Sequence, residues 1–278
     1  MLKNTQPNRF IGHQPDKNHG VMLLHIIPCY IIEIMRKLLV VPVYNEIATV
    51  RRVMEAIKAY HDGDILAVDD GSTDGSSEAL ATFPWLNVIR HEKNRGYGAA
   101  VITGFEYAIK NAFDSVVTMD CDEQHEPCMI PRMFAERADV DILSGSRYLA
   151  GSADGDMPPA DRMAINKTIT VAINSITGYN LTDSFCGFKR YRVQALAPLR
   201  LDEAGYGLPI QFWIQARHFG LTVAEIAIPR IYKNLNRTFG GGLDDPEKRL
   251  SYYRFVIERE LKKWPISSPL ERIPTTSN

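Results

Sequence analysis

One recurring unit constrains this chain more than any other feature: a short apolar run that stops at polar residues, followed by a stretch with helical spacing. Leu38-Leu39-Val40-Val41, inside residues 36–43 and closed by Pro42, is a continuous apolar run of the kind that suits a strand buried on both faces. Ile47, Val50, Val53, Met54 and Ile57 then recur at helical spacing as far as Tyr60. Further strands are expected at 64–68, 86–90, 115–119 and 141–144, with helices at 72–82, 98–111 and 127–138. The alternation predicts an α/β fold, a Rossmann-like and mostly parallel sheet with helices on both faces. Ligands of such sheets bind outside the carboxyl ends of the strands. The polar clusters Asn45-Glu46, Asp69-Asp70 and Asp120-Cys121-Asp122 all fall there.

The second half is less regular. Residues 150–161 and 234–245 read as loops, 162–177, 209–219 and 247–263 as helices, 221–228 as a strand, and 183–191 as a strand or turn. No repeat or linker interrupts it, so 36–265 is expected to be a single domain. Residues 1–34 are expected to be a disordered or dispensable N-terminal extension, and 266–278 a flexible tail.

Lys plus Arg total 32 against 33 Asp plus Glu, a formal net charge of -1 that excludes an ordinary basic nucleic-acid binder. Four cysteines without a CxxC pair read as reduced thiols of a cytosolic protein. No stretch reaches the roughly 18–20 apolar residues of a spanning helix. The nearest, 21–35, is broken by His25, Pro28 and Glu33 and carries no cleavage site, so a cytoplasmic location is expected.

Asp120 and Asp122, one residue apart at a strand end, suit a single hard cation, Mg²⁺ or Mn²⁺. The Gln124 carboxamide can complete the protein's share of ligands, and phosphates or water supply the rest. Such a cation bridges a diphosphate and offsets charge on a leaving group. In Asp69-Asp70-Gly71-Ser72-Thr73-Asp74, Gly71 permits a tight turn and the next three residues can cap a helix, while the paired carboxylates can accept from a base edge or ribose. Tyr44 offers a ring face and Glu46 an acceptor, although the same residues suit a capped helix start. Arg95 and Gly96 precede a helix whose backbone N–H groups can meet a phosphate. His125 suits either a contact to phosphate or sugar or a bond within its own loop.

PVYNE at 42–46, DDGSTD at 69–74, NRGYGAA at 94–100, DCDEQHEP at 120–127, GSRY at 145–148 and DSFCGFKRY at 183–191 resemble, in this order and spacing, the family 2 glycosyltransferases. The likeness is greatest to the dolichol-phosphate mannosyltransferase and polyprenyl-phosphate sugar transferase branch. The resemblance implies a GT-A fold and a metal-dependent, inverting transfer from a nucleotide-sugar, GDP-mannose or a UDP-sugar, to a polyprenyl phosphate. A saccharide hydroxyl of a cell-surface polysaccharide is the alternative acceptor. It assigns nucleotide contacts to Pro42, Tyr44, Glu46, Asp69 and Asp70, and the metal to Asp120, Asp122 and Gln124. Arg147 is expected near a donor or acceptor phosphate. Lys189, Lys233 and Arg237 are expected to be basic phosphate contacts. Asp122, Arg147 and Asp183 are the candidate catalytic residues, Asp183 as general base for a hydroxyl acceptor or as a brace for the 184–187 turn. The sequence departs from the branch at Glu123, at Gln211 where an acidic residue is usual, and at Lys189 where Arg is usual, which loses a bidentate fork.

Two other function classes fit less well. A sugar-nucleotide nucleotidyltransferase would carry a Gly-rich basic loop after the first strand, where this chain has Val43-Tyr44-Asn45-Glu46. An inactive binding module would have no need of Asp120, Asp122 and Gln124. The closing helix carries Lys248, Arg249, Arg254, Arg259, Lys262 and Lys263. It can lie on an anionic membrane surface at the inner face or simply pack against the domain.

Overall fold

The computed structural model describes residues 35–152, 157–232 and 238–266. Strands β1 (Lys37–Val43), β2 (Asp64–Asp69), β3 (Asn87–Arg90), β4 (Ser115–Thr118), β5 (Ile142–Ser146), β6 (Lys189–Arg192) and β7 (Val223–Ala227) form one sheet in the order β3-β2-β1-β4-β6-β5-β7. The helices are α1 (Val50–Tyr60), α2 (Ser76–Leu80), α3 (Tyr97–Lys110), α4 (Ile130–Ala135), α5 (Ala160–Thr177), α6 (Val193–Leu196), α7 (Leu208–His218) and α8 (Pro246–Lys263). The expected extension at 1–34 lies outside the described residues, as do Lys233, Arg237 and the tail from 267; Ile266 packs against the core.

Alternation along β1 divides the core. Leu38 and Val40 face one layer with Phe105 of α3, Ile169 of α5, Trp213 of α7 and Val256 of α8. Leu39 and Val41 face the other, with Met54 and Ile57 of α1, Leu80 of α2 and Ile130 and Met133 of α4. Both faces of β1 are therefore covered, as its unbroken apolar run requires. Gly104 lets α3 press onto β1, since a Cβ there would stand 2.4 Å from Val40 Cγ1.

β1 pairs in parallel with β2 and β4, and β2 with β3, so their carboxyl ends share one rim. The parallel run ends at β6, which is antiparallel to both β4 and β5. Its sequence, KRYR, looks solvated, yet Lys189 and Arg190 are each 3% exposed. The Arg190 guanidinium reaches out of the layer to donate to the carbonyls of Val140 at 3.2 Å and Arg137 at 2.7 Å. A buried strand written in basic residues defeats any hydrophobic pattern, which is why 183–191 reads ambiguously from sequence.

α8 is a packed helix. Asp245 caps it by accepting from Lys248 N–H at 2.9 Å. Tyr253 and Val256 are buried, Leu250, Ile257 and Leu261 lean on the same core, and Arg249 pairs with Asp161 at 2.7 Å. Arg259 pairs inward with Glu203 at 2.9 Å, and the exposed Lys263 pairs with Asp202 at 3.1 Å. Among the described residues no helix is long and apolar enough to cross a membrane.

Candidate active site

Side chains stitch three rim loops together. After β1, Asn45 takes a left-handed φ of 54°, a conformation Asn tolerates, and turns the chain across the rim. Its N–H donates to Ser72 Oγ at 3.0 Å, and its side-chain oxygen accepts from Thr73 N–H at 2.9 Å. Glu46 N–H donates to Ser76 Oγ at 2.8 Å and Ile47 N–H to Asp74 Oδ2 at 3.0 Å. These bonds employ residues 72–74 in lacing β2 to β1, so α2 starts only at Ser76, short of the expected 72–82. Thr49 Oγ1 then bridges to the third loop, lying 3.0 Å from Glu46 Oε2 and 2.8 Å from the Cys121 carbonyl.

The two carboxylates of the second motif differ sharply in use. Asp69 is fully buried; its Oδ1 accepts from Ser72 N–H at 2.9 Å, and its Oδ2 faces Arg90 Nε at 3.3 Å without an aligned donor. Asp70, 2% exposed, accepts from His91 Nδ1 at 2.6 Å, Arg95 N–H at 2.9 Å and Gly96 N–H at 2.8 Å. His91 Nε2 lies 3.0 Å from Thr103 Oγ1. The N–H groups of Arg95 and Gly96, just ahead of α3, are thus taken by the protein's own anion, and the Ala99 N–H within its first turn donates to the Ala204 carbonyl at 3.0 Å. The Arg95 side chain remains exposed, as does Tyr44 at 45%.

Asp120 ends the strip beyond β4. Its side chain is 27% exposed, and its Oδ1 accepts from Tyr97 Oη at 3.1 Å. Burial and the Asp120 charge hold the Tyr97 phenol well above its ordinary range, so it stays a donor. Gly187 lies against the same carboxylate: a Cβ there would stand 2.3 Å from Asp120 Oδ2. Asp122 and Gln124 are half-buried, with Gln124 N–H donating to Asp122 Oδ1 at 3.1 Å. Glu123 takes a left-handed φ of 61°, which turns its side chain away to Arg52 at 3.1 Å.

His125 settles within its own loop. Its Nδ1 accepts from Asp120 N–H at 3.2 Å, which leaves that nitrogen unprotonated. Burial lowers its pKa against the pull of Asp120 and Asp122, in keeping with a neutral ring stacked 5.3 Å from Phe188. The 3.7 Å approach of Nδ1 to Asp120 Oδ2 is therefore a contact between a neutral ring and a carboxylate.

Arg147 follows β5 directly, and Asp183 lies in the segment ahead of β6. Arg147 donates through Nε to Asp183 Oδ2 at 2.7 Å, through Nη2 to Oδ1 at 3.0 Å, and through Nη1 to Tyr232 Oη at 2.9 Å. Asp183 also accepts from Phe185 N–H at 3.3 Å, and the Glu225 carboxylate accepts from the N–H groups of Thr182 at 2.8 Å and Asp183 at 3.0 Å. Burial works to raise the Asp183 pKa, but the Arg147 guanidinium outweighs it and holds the carboxyl below its ordinary range. That arrangement braces the turn. Lys189 is buried, its ammonium donating to the Cys186 carbonyl and lying 5.6 Å from the Trp213 ring centroid. Desolvation lowers its pKa against the pull of Cys186, Asp183 and Asp120.

Sequence reasoning missed Tyr97, His91 and Thr49. Each belongs to or borders a recognised motif, but its role arises from partners 23, 21 and 72 positions away.

Among the described residues no group of three or more His, Cys, Asp and Glu side chains is placed to hold a metal by itself. Asp120, Asp122 and the Gln124 carboxamide are a sparse, all-oxygen set of the kind that leaves positions for phosphate and water, so the residues present fit Mg²⁺ or Mn²⁺.

The chain is similar to several known proteins. The chain is 29% identical over 75% of its length to undecaprenyl-phosphate mannosyltransferase of Micrococcus luteus, covering 89% of that protein. It is 32% identical over 69% of its length to polyprenol monophosphomannose synthase of Mycolicibacterium smegmatis, covering 76% of it. Its fold matches glucosyl-3-phosphoglycerate synthase of Mycobacterium tuberculosis, solved with Mn²⁺, UDP and glucosyl-3-phosphoglycerate, at a TM-score of 0.62 and 19% identity, over 84% of this chain and 82% of that one. This is the GT-A architecture. The family described as Glycosyl transferase family 2 matches residues 38–199, and with the rim motifs all inside that span the chain belongs to glycosyl transferase family 2.

Proposed function

We propose that the chain transfers a sugar from a nucleotide-sugar to a polyprenyl phosphate with inversion, assisted by Mg²⁺ or Mn²⁺. The observation that carries this reading is the Thr49 bridge, which joins the Glu46 loop to the Asp120–Asp122 loop and so gathers nucleoside-type and metal-type groups on one rim. Tyr44 offers an exposed ring and Glu46 an acceptor to the nucleoside; Pro42 shapes the strand end between them and the core. Asp69, with an oxygen lacking an aligned donor, is the acceptor in the adjoining turn, and Asp70 contributes by fixing the Arg95–Gly96 segment.

Asp120, Asp122 and Gln124 would hold the cation, which when bound supplies charge neutralisation for the departing nucleoside diphosphate. The exposed Arg95 would accommodate phosphate charge, while Arg147 is held by Asp183 and Tyr232; Lys233 and Arg237 are assigned to the phosphate by family resemblance. Because Asp183 is locked by Arg147, the site favours an acceptor that is already an anion and needs no base. The two named relatives are enzymes of polyprenyl-phosphate mannosylation, which supports the same acceptor. The nearest membrane-facing role is peripheral contact through a lipid acceptor.

The test is transfer of radiolabelled sugar to a short-chain polyprenyl phosphate, with GDP-mannose and UDP-sugars compared and Mg²⁺ or Mn²⁺ present. Thermal shift on the same panel identifies the donor by mass action. Labelled lipid formed from one donor supports the reading; donor binding with product only on saccharide hydroxyls would overturn the acceptor.

A further inference from the structure

Resting on the metal reading above, we propose that Tyr97 is a positioning residue that sets which oxygen of Asp120 is offered to the cation. The Tyr97 hydroxyl takes Oδ1 at 3.1 Å, and the whole carboxylate fits against Gly187 only because that residue has no Cβ, which would stand 2.3 Å from Oδ2 and 2.7 Å from Oδ1. Tyr97 is itself held from two sides. Its backbone follows Arg95 and Gly96, both fixed by Asp70, and its ring stacks on Tyr206 with centroids 5.7 Å apart and planes 8° from parallel.

Tyr206 belongs to the 199–207 segment, which docks on the start of α3 through the Ala99 N–H bond to the Ala204 carbonyl at 3.0 Å. The same segment is anchored to α8 by Arg259 and by Tyr252, which pair with Glu203. The aim of one metal-binding carboxylate therefore depends on a loop that supplies none of the motif residues. Orienting partners of this kind are worth about tenfold or more in metal affinity when removed.

The experiment is a Mn²⁺ titration followed by electron paramagnetic resonance of the free ion, with GDP or UDP at saturation, on wild type, Tyr97→Phe and Tyr206→Leu. Tyr97→Phe keeps the stacked ring and loses only the hydroxyl, so its melting temperature should match wild type. Its Mn²⁺ affinity should fall about tenfold, and kcat should recover at saturating Mn²⁺. Tyr206→Leu should weaken Mn²⁺ binding less, through loss of the ring behind Tyr97; it reads the same coupling if Tyr97→Phe does not fold. Mn²⁺ affinity equal to wild type in the folded variants overturns the role of Tyr97 while leaving the metal site standing. Failure of the wild type to bind Mn²⁺ with either diphosphate overturns the metal reading and this proposal with it.

Discussion

Arg147 grips Asp183 through two bonds, Nε to Oδ2 at 2.7 Å and Nη2 to Oδ1 at 3.0 Å, and the carboxylate is 1% exposed. Removing one partner strands the other, so Asp183→Ala should destabilise the fold by about 3–5 kcal/mol, measured by urea unfolding. The depressed carboxyl pKa gives the sign of the pH effect. Its stabilisation is full above the unfolded value near ~3.9 and is lost as pH falls through the lower folded value. Between pH 5 and 8 Asp183 contributes no slope, and Asp183→Asn should lower activity without changing the shape of the pH–rate profile.

His61 carries a dependence of the same sign, placed at higher pH. It is 7% exposed, stacks 5.1 Å from Phe134, and lies 3.3 Å from the Asp64 carbonyl. Desolvation lowers its pKa, with Lys58 and Lys37 adding to the effect and Asp62 and the Asp64 carbonyl opposing it. A histidine buried neutral stabilises fully above the unfolded value near ~6.5, and that stability is lost as pH falls below it. The melting temperature should drop on acidification below pH 6.5, with a slope from this group no steeper than about 1.4 kcal/mol per pH unit. His61→Phe should flatten that limb; an unchanged limb would assign it elsewhere.

Gln211 shows what the departure from the family's usual acidic residue does here. Its Nε2 donates to Asp202 at 2.6 Å and Glu260 at 2.9 Å, while its Oε1 accepts from the N–H groups of Asp202 and Glu203, each at 2.9 Å. An amide has both polarities; a carboxylate lacks the donors and would be a further anion beside Glu260, itself 0% exposed. Gln211→Glu should destabilise by about 3 kcal/mol or more at neutral pH, read by urea unfolding, and recover part of that at acid pH.

The parallel half of the sheet and the rim were legible because they depend on local signals: apolar runs, helical spacing, and carboxylates just past strand ends. β1, β2 and β4 with Asp69, Asp70 and Asp120 follow from that alone. What was not legible depends on pairings across the fold. The direction of β6 is hidden by its basic sequence. Arg147 and Asp183, each a reasonable ligand for substrate when read singly, neutralise one another across 36 positions. Gly96 precedes a helix, as a phosphate loop does, but nothing local shows that the N–H groups of Arg95 and Gly96 are held by Asp70, 25 and 26 positions away.

Asp120→Asn keeps the acceptor from Tyr97 but halves the site's hard anionic ligands. Turnover should fall about 10³-fold, with donor binding measured without metal unchanged. Near-normal activity in added Mn²⁺ would remove the metal assignment.

The most direct measurement is anomalous diffraction at the manganese edge from crystals grown with Mn²⁺ and the nucleoside diphosphate of the true donor. The account predicts one peak at about 2.0–2.2 Å from oxygens of Asp120 and Asp122 and of the diphosphate, with the nucleoside lying toward Tyr44 and Glu46. A diphosphate bound elsewhere, or a peak remote from both carboxylates, would contradict it.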